Sequence, residues 1–484
     1  MQSPLTACPG LFYNTLAQDG FLCRVRIPGG MINSQQFEAI ADISDHYGGG
    51  YIDITNRANI QIREIKQGIN IQVLEKLQAL GLASTNASVD HIRNIMTSPT
   101  AGIDTQELID TSPLVKAWEK YITANSHFSE LSAKFSVCFD GGGKISVKDR
   151  PNDIILAAEL INSNIHWRLY LSYGEKREPA KDTGILIKPV ETIAVLGALA
   201  ETYLKHIDIK NSCKPRLREI INHITIEKYL HQVKEKLDSN IFNCERTYLC
   251  ASASLREKNH IGIHSQKQSG LYYIGIVLPL GRLESYQIRG LANLAKRYSD
   301  DNIRLTPWQN LILRDIPQNQ IIAVEKKIAD LGLNCSQKDI KSCLVACSGK
   351  RGCAAAATET KDDALHLAKY LEDIMILDCL VNIHFSGCPK SCAQHTQADI
   401  TLLGVASGNF PGYQIYVLGH LLYEYVTLAK VPIFIQQILE VYQQQRLSLD
   451  EPFKDFIDRQ KPQLNQLFSK SSPNSTVKSL EYHV

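Results

Sequence analysis

The 484-residue sequence lacks the long apolar runs of a membrane protein. No stretch reaches the roughly 18 apolar residues without charges that a membrane-spanning helix needs. The first residues, MQSPLTACPGLFYNTLAQDG, contain no basic region followed by an apolar run, so we expect no secretory signal. Since reduced thiols are typical of proteins that are not exported, we expect a cytoplasmic protein with no membrane partner.

A strong net charge is also missing. Lys and Arg total 52 and Asp and Glu total 50, which gives a formal net charge of +2. This balance argues against a protein that binds nucleic acid through a general basic field. Hydrophobic residues make up 44% of the chain, which is typical of a globular protein large enough for several domains.

Cysteine, in contrast, is plentiful and patterned. Cys347 and Cys353 lie in ACSGKRGC, and Cys388 and Cys392 lie in SGCPKSC. Two close pairs brought together by a fold suit a four-thiolate [4Fe–4S] cluster, so we predict these four as its ligands. A zinc site, and buried thiols without any ligand role, stay open as alternatives.

The residues around the second pair predict a helix. Gly387 ends the preceding strand, and Pro389 suits the first turn of a helix. Cys388 and Cys392 would then lie one turn apart on one face. The free N–H groups of such a helix start would stabilise an anionic cluster.

An internal duplication organises the chain. The segment from Pro28 to Ile65 aligns without a gap on the segment from Pro279 to Ile316, with 11 identities in 38 positions. Each copy predicts a strand, a helix beginning near Ser34 or Ser285, and two further strands. KFSVC, ending at Cys138, also resembles HFSGC, ending at Cys388, although five residues can match by coincidence.

Basic residues in the first half stand in motif-like surroundings. Arg57 lies in ITNRANIQIR, Arg93 in DHIRNIMTSP and Lys134 in LSAKFSVC. Guanidinium groups at strand ends bind carboxylates and small oxyanions well. The alternative is that all three are ordinary surface charges.

These motifs resemble the sirohaem-dependent nitrite and sulfite reductase superfamily. The cysteine pattern, the duplicated units and the TNRAN strand carry the resemblance, and ACPGLF, RIPGG, VCFDGGG and RLTPW are similar to the precorrin-3B synthases within it. The chain departs from the reductases in Leu131–Ser136. Ala133 replaces an arginine, and Ser136 replaces a lysine that sulfite reductases usually carry.

The resemblance implies an α+β (mixed α/β) fold of two pseudo-symmetric halves. Each half is expected to contain a ferredoxin-like β-α-β-β unit and a larger α/β domain. The expected boundaries are 12–85 and 86–235 for the first half, 262–335 and 336–470 for the second, which carries the cluster, and 471–484 for a flexible tail.

The resemblance also implies a function, for which we predict a precorrin-3B synthase. This monooxygenase of cobalamin biosynthesis hydroxylates precorrin-3A at C20 and closes a γ-lactone. Arg57, Arg93 and Lys134 are then expected at the tetrapyrrole as catalytic-site residues. The alternatives are a ferredoxin-dependent nitrite or sulfite reductase with sirohaem, and a non-catalytic tetrapyrrole- or cluster-binding protein.

The predicted function sets the cofactors and partners. A mononuclear non-haem iron is expected beside the [4Fe–4S] cluster, with the histidines nearest the motifs as candidate ligands: His91, His127, His384 and His395. No Gly-x-Gly-x-x-Gly follows a strand, so the electron donor is expected to be external, either an NADH-linked reductase or a ferredoxin.

Overall fold

A computed structural model describes residues 10–12, 15–176, 178–211, 213–237, 260–376, 378, 380–461 and 468. The tail expected at 471–484 and the connection at 238–259 lie outside this part of the chain. Two compact units, Met1–Gln337 and Lys338–Val484, are described in turn. Within the described ranges, every helix is too short or too polar to span a bilayer.

The first unit contains both copies of the duplicated segment. The first copy comprises β1 (Thr15–Ala17), β2 (Gly20–Val25), β3 (Met31–Ile32), α1 (Ser34–Tyr47), β4 (Tyr51–Ile54), β5 (Ile60–Ile65) and α2 (Ile71–Ala79). Between the copies lie β6 (Ile95–Thr97), α3 (Ser112–Ala124), β7 (Val137–Asp140), β8 (Ile154–Ile161), β9 (Asn164–Leu171), β10 (Lys181–Ile187), α4 (Thr192–Lys205), α5 (Leu217–Ile224) and α6 (Ile226–Lys234). The second copy comprises β11 (Gly262–Ser265), β12 (Leu271–Ile276), β13 (Arg282–Glu284), α7 (Ser285–Tyr298), β14 (Ile303–Leu305), β15 (Leu311–Pro317) and α8 (Ile321–Asp330).

The two copies exchange a short strand. One sheet has the order β1-β2-β5-β4-β13, and the other has the order β11-β12-β15-β14-β3. Leu283 of β13 therefore pairs with Ile52, and Ile32 of β3 pairs with Ile303. Helices α1 and α7 contact each other, and the apolar residues of both copies form one core.

Several identities between the copies are explained by hydrogen bonds inside each copy. Gln36 caps the start of α1 and also donates to the carbonyl of Leu80 at 2.7 Å, and Gln287 does the same at α7 and Leu331 at 3.0 Å. Asn59 accepts from the N–H of Ile27 at 2.8 Å. These repeated polar residues therefore hold the strand–helix–strand unit together.

The larger domain of the first half is a mixed sheet in the order β10-β9-β8-β7-β6. Strands β6, β7 and β8 are parallel, and β8, β9 and β10 are antiparallel. One face of this sheet packs against α3 and α4 through large apolar side chains such as Trp118, Phe139 and Trp167. The glycine-rich run 141–143 follows the carboxyl end of β7, whereas Lys134 lies just before the amino end of the same strand.

The second unit repeats this topology. It comprises β16 (Leu344–Ala346), α9 (Gly349–Gly352), α10 (Thr360–Ile374), β17 (Ile383–Ser386), β18 (Ile400–Ser407), β19 (Phe410–Val417), β20 (His420–Thr427), α11 (Val431–Gln445) and α12 (Phe453–Gln460). Its sheet has the order β16-β17-β18-β19-β20, with β16, β17 and β18 parallel. The predicted fold class, with a ferredoxin-like unit and a larger α/β domain in each half, is confirmed.

Candidate functional site

The two cysteine pairs begin where two neighbouring parallel strands end. Cys347 follows β16 and Cys388 lies two residues beyond β17, and Ala346 pairs with Phe385 between these strands. The carboxyl ends of parallel strands meet at one edge of a sheet, so both pairs start at the same edge. The backbone N–H of Gly387 donates to Cys347 Sγ at 3.2 Å. The second loop thus supplies a hydrogen bond to a thiol of the first.

Gly387 is the point where the two cysteine loops touch. Its carbonyl accepts from the N–H of Ala357 at 2.8 Å. A Cβ at position 387 would lie 2.5 Å from Cβ of Ala356 and 3.5 Å from Cys347 Sγ. Real side chains do not approach as closely as the first distance, so the contact between the loops requires glycine.

The four thiols also influence one another electrostatically. Burial raises the pKa of Cys392, and the neighbouring charges of Cys388, Cys347 and Cys353 raise it further. Cys347, Cys353 and Cys388 are half-buried, and Cys392 is exposed. The four thiols therefore share one neighbourhood, and a positively charged group would offset the repulsion between their thiolates.

The spacing of the thiols distinguishes between kinds of metal group. Among the described residues, no three His, Cys, Asp or Glu side chains lie close enough to hold a single metal ion. A structural zinc site needs four ligands on one ion, so the geometry disfavours zinc. In a [4Fe–4S] cluster the four thiolates bind different irons and lie further apart. The donor set and the N–H bond to sulfur therefore fit a [4Fe–4S] cluster.

The helix predicted after Cys388 is wrong. Residues 387–399 form bends and turns. Ser391 has a φ of +51°, which is left-handed backbone and interrupts a helix. The second pair is therefore presented by a turn, and the stabilisation expected from a helix start does not apply.

The match between Cys138 and Cys388 is also wrong. Cys138 pairs with Ile155 in the β7–β8 ladder, and His384 pairs with Thr401 in the β17–β18 ladder. Both ladders lead into hairpins of the same length, closed by the pairs Ile161–Asn164 and Ser407–Phe410. Counted from these hairpins, Cys138 corresponds to His384, and Gly142 corresponds to Cys388.

The histidines considered for a mononuclear iron do not form such a site in the described chain. His91 Nε2 lies 2.9 Å from the carbonyl of Leu131, and His127 forms an ion pair with Glu201 at 2.5 Å. His384 is only 2% exposed, and burial, with a smaller effect from His395, lowers its pKa to about 4. The expectation of a mononuclear iron has no support.

Arg57 lies in the loop between β4 and β5 and reaches the larger domain of the first unit. Its guanidinium donates to the carbonyl of Pro151 at 2.8 Å and to Asn152 Oδ1 at 2.5 Å. Its buried Nε atom has no hydrogen-bond partner among the described residues. Burial lowers the pKa of Arg57 to about 10, and the neighbouring positive charges of Arg216 and Arg24 act in the same direction while Asp153 opposes them. The group remains cationic at neutral pH.

Trp308 occupies the position of Arg57 in the second copy. Its ring lies 5.3 Å from the guanidinium of Arg150 and 4.9 Å from the ring of His260. It also packs against an apolar cluster that includes Cys138 and Tyr170. Equivalent loops of the two copies thus carry a cation in one case and a packing residue in the other.

Arg93 is buried among partners of its own. Its guanidinium pairs with Asp90 at 3.1 Å and with Glu119 at 2.6 Å, and Asp90 also pairs at 3.4 Å with Arg26, the residue after β2. This network joins the ferredoxin-like unit to the larger domain. The role of Arg93 at a ligand stays a prediction.

Lys134 is exposed and makes no ion pair with any described residue. The residues on either side of it are anchored: Ser132 Oγ accepts from the N–H of Lys134 at 3.3 Å, and Ser136 Oγ accepts from the N–H of Asp153 at 3.0 Å. Ser136 is buried and acts as a backbone anchor where sulfite reductases carry a lysine. Position 136 thus adds no positive charge beside Lys134.

Arg216 was missed by the sequence analysis. It stands immediately before α5 and pairs with Asp153 at 2.9 Å, in the neighbourhood of Arg57. The only signal in the sequence was a basic residue after Pro215 at a helix start, which is too common to single out.

Two family models together match most of the first unit. A model of the nitrite and sulphite reductase 4Fe-4S domain matches residues 88–241. A model of the nitrite/sulfite reductase ferredoxin-like half domain matches residues 15–80 and 264–331. The four cysteines lie outside both matches.

Curated relatives extend the similarity over most of the chain. A ferredoxin–nitrite reductase of Synechococcus elongatus is 31% identical over 404 residues, covering 82% of this chain and 78% of the relative. The chain belongs to the nitrite and sulfite reductase family. A chloroplastic ferredoxin–nitrite reductase of Zea mays is 28% identical and covers 83% of this chain and 73% of its own length. The solved structure of the Mycobacterium tuberculosis NirA protein covers 92% of this chain and 84% of its own, with a TM-score of 0.78 and 22% identity, and so supports the fold.

These comparisons overturn the function predicted from the sequence. The relatives compared here are ferredoxin–nitrite reductases, and this favours the alternative of a nitrite or sulfite reductase over a precorrin-3B synthase. Two of the phrases that suggested the synthase, RIPGG and VCFDGGG, lie directly after β2 and across the end of β7. The predictions of C20 hydroxylation, of precorrin-3A as substrate and of a monooxygenase reaction are therefore wrong.

Proposed function

We propose that this oxidoreductase is a ferredoxin-dependent nitrite reductase containing a [4Fe–4S] cluster and sirohaem. The observation that carries the proposal is the similarity to ferredoxin–nitrite reductases along 82% of the chain. The reaction takes nitrite, eight protons and six electrons to ammonium and two waters. Sirohaem, when bound, supplies the iron on which nitrite is reduced, and the cluster supplies electrons one at a time.

The cluster is proposed on Cys347, Cys353, Cys388 and Cys392. The hydrogen bond from Gly387 to Cys347 Sγ supports this, because N–H donors stabilise thiolate charge and influence the cluster potential. The loop contact at Gly387 fixes the two pairs relative to each other. The alternative of inert buried thiols is disfavoured by the exposure of Cys392.

Nitrite is proposed in preference to sulfite because of charge. Nitrite carries a single negative charge, and this chain keeps the cations Arg57 and Lys134 for it. The lysine that sulfite reductases usually carry is Ser136 here, and the side chain of Ser136 is occupied by the N–H of Asp153. Arg57 and Lys134 are proposed to attract and orient the anion and to compensate for carboxylates of the tetrapyrrole.

The test is a measurement on the anaerobically purified chain. We expect Soret and red absorption bands of a tetrapyrrole, close to four irons and four sulfides in addition to the tetrapyrrole iron, and ammonium formation from nitrite with reduced ferredoxin. Sulfite should be reduced more slowly. A protein without tetrapyrrole bands that forms no ammonium would refute the proposal, and a higher rate with sulfite would refute the choice of nitrite.

A further inference from the structure

The side chain of Thr360 makes two contacts with Cys347, one of the proposed cluster ligands. Thr360 is the first residue of α10 and is fully buried. Its hydroxyl donates to the carbonyl of Cys347 at 2.8 Å and lies 3.5 Å from Cys347 Sγ, which is within hydrogen-bonding distance for sulfur. A thiolate has no hydrogen to give, so Thr360 is the donor of this pair whenever Cys347 is ionised.

The loop that follows Cys347 fixes the start of α10. The backbone N–H of Arg351 donates to the carboxylate of Glu359, the residue before the helix, at 3.0 Å. Gly349 has a φ of +68°, and a Cβ at this position would lie only 2.9 Å from the backbone nitrogen of Thr360. A glycine therefore lets the cysteine loop lie directly against the first residue of the helix.

A buried tyrosine of β19 anchors the same turn of the helix. Asp363 lies one turn after Thr360 and accepts from the hydroxyl of Tyr413 at 2.6 Å. Burial raises the pKa of Tyr413, and the neighbouring charges of Asp363 and Cys347 raise it further, so the tyrosine keeps its hydrogen and remains the donor. The cysteine loop and β19 together hold the hydroxyl of Thr360 at Cys347.

We propose that Thr360 is a positioning residue that raises the reduction potential of the cluster by donating to the thiolate of Cys347. The inference rests on the cluster of the proposed function and adds a side chain to its surroundings. Gly387 donates its backbone N–H to the same sulfur at 3.2 Å, so this thiolate receives donors from two separate segments. A donor to a ligand sulfur stabilises the more negative, reduced state of the cluster, and its loss lowers the potential.

The test compares Thr360→Val with Thr358→Val in the anaerobically purified holoprotein. Thr358 is 1% exposed, and its hydroxyl makes no hydrogen bond of normal geometry with any described residue, so this variant is the matched control. The midpoint potential of the cluster is measured in a redox titration followed by EPR, with iron and sulfide analysis of each protein. Thr360→Val should make uptake of one electron about tenfold less favourable, which lowers the potential by about 59 mV.

Each outcome decides the proposal. A lower potential in Thr360→Val, with a full cluster, supports it if Thr358→Val and Thr360→Ser keep the potential of the parent. Equal potentials in the parent and Thr360→Val overturn it, and a lower Tm alone then marks a structural contact. If Thr360→Val does not fold, Thr360→Ala takes its place. Loss of the cluster from a folded Thr360→Ala variant also overturns the proposal, because Thr360 then serves cluster assembly.

The failure of this inference differs from the failure of the proposed function. A parent protein that contains the cluster but forms no ammonium from nitrite refutes the function, while the potentials of the variants still decide the role of Thr360. A parent protein without a cluster overturns both. A parent protein that reduces nitrite, with the same cluster potential in Thr360→Val, overturns only the role of Thr360.

Discussion

The loops after β7 and β17 occupy equivalent places in the two halves, yet they satisfy their backbone N–H groups differently. In the first half, the Asp140 carboxylate accepts from the N–H groups of Gly142, Val147 and Lys148 and from the Ser146 hydroxyl, at 2.5–3.1 Å. In the second half, Ser386 takes the place of Asp140, and the N–H of Gly387 donates to Cys347 Sγ. In both halves, backbone N–H donors lie at the same edge of the sheet. Their acceptor is a carboxylate in the first half and a thiol in the second.

A second aspartate extends the difference. Asp104 of the first half accepts from the N–H groups of Lys144 at 2.7 Å and Ile145 at 3.2 Å. The first half therefore closes its loops with its own side chains. The second half leaves four thiols together, which is a costly arrangement unless a cationic group binds them. We therefore expect that the atom accepting from these N–H groups decides whether a half of this fold can hold a metal cofactor.

The largest expected effect is loss of the cluster, which cysteine substitutions in the second half should cause and a cysteine substitution in the first half should not. Cys353→Ala and Cys392→Ala should lose the cluster almost completely, because each removes one of the four proposed thiolate ligands. Cys138→Ala, in the first half, should keep it. Iron and sulfide analysis of anaerobically purified protein measures both. An intact cluster in Cys353→Ala and Cys392→Ala would remove the chemical basis of the comparison.

The next prediction concerns the equivalent positions Arg57 and Trp308. Arg57→Ala should weaken nitrite or tetrapyrrole binding by about ten- to a hundred-fold, through loss of a charge-assisted contact worth about 1.5–3 kcal/mol. Trp308→Phe should leave binding unchanged, since Trp308 packs against Arg150 and His260. Spectral titration of the holoprotein measures the affinities. Equal effects of both variants would contradict the division of roles.

His384 and Cys138 occupy equivalent strand positions, so a pH titration sharpens the comparison. Burial lowers the pKa of His384 to about 4, below the usual 6.5, so the unfolded chain binds its proton first. Stability is then complete above about pH 6.5 and decreases as the pH falls toward 4, by up to about 3 kcal/mol. His384→Cys, which copies the first half, should reduce that loss in urea unfolding. A pH dependence identical to that of the parent would exclude His384 as its source.

Gly141 and Gly387 are equivalent and equally crowded. A Cβ would lie 2.5 Å from the carbonyl oxygen of Ile109 in one case and 2.5 Å from Cβ of Ala356 in the other. Both Gly→Ala variants should lower the free energy of unfolding by about 1–3 kcal/mol through overpacking. Only Gly387→Ala should also lower the iron content. Iron analysis of the purified protein measures this content, and urea unfolding measures the stability. Equal iron loss in both variants would assign the effect to general destabilisation.

The smallest expected effect comes from Asp140→Asn. The amide keeps the shape of the side chain but replaces a charged acceptor, which should cost about 1–2 kcal/mol of unfolding free energy. Asp149→Asn, at an exposed ion pair with Arg150, is the control and should change stability by less than about 0.5 kcal/mol. Equal losses from the two variants in urea unfolding would show that the Asp140 contacts carry no special weight.

Much of the fold could be predicted because the duplication repeats structural residues. Gln36 and Asn59 recur in the second copy because each makes the same local hydrogen bonds there. The exchanged strands could not be predicted, since β3 is only two residues long and its partner is distant in sequence. Periodicity carries no information at that length.

The candidate site was harder to predict than the fold. The spacing of four cysteines was informative because thiols in close pairs have few other uses. The ion pairs of Arg93 with Asp90 and Glu119 became visible only in three dimensions, and its role at a ligand stays a prediction. Pro389 predicted a helix that the left-handed backbone at Ser391 prevents.

The exchanged strands have a consequence for the order in which the chain folds during synthesis. Asp53 of β4 pairs with Arg282 of β13, which lies 229 residues later. The edge of β4 therefore has no strand partner from the second copy until the ribosome has made that copy. Contacts between such distant residues slow folding, and exposed strand edges favour aggregation. We therefore expect newly made chains to depend on chaperones until the second copy emerges, although the finished molecule has no such exposed edge at β4.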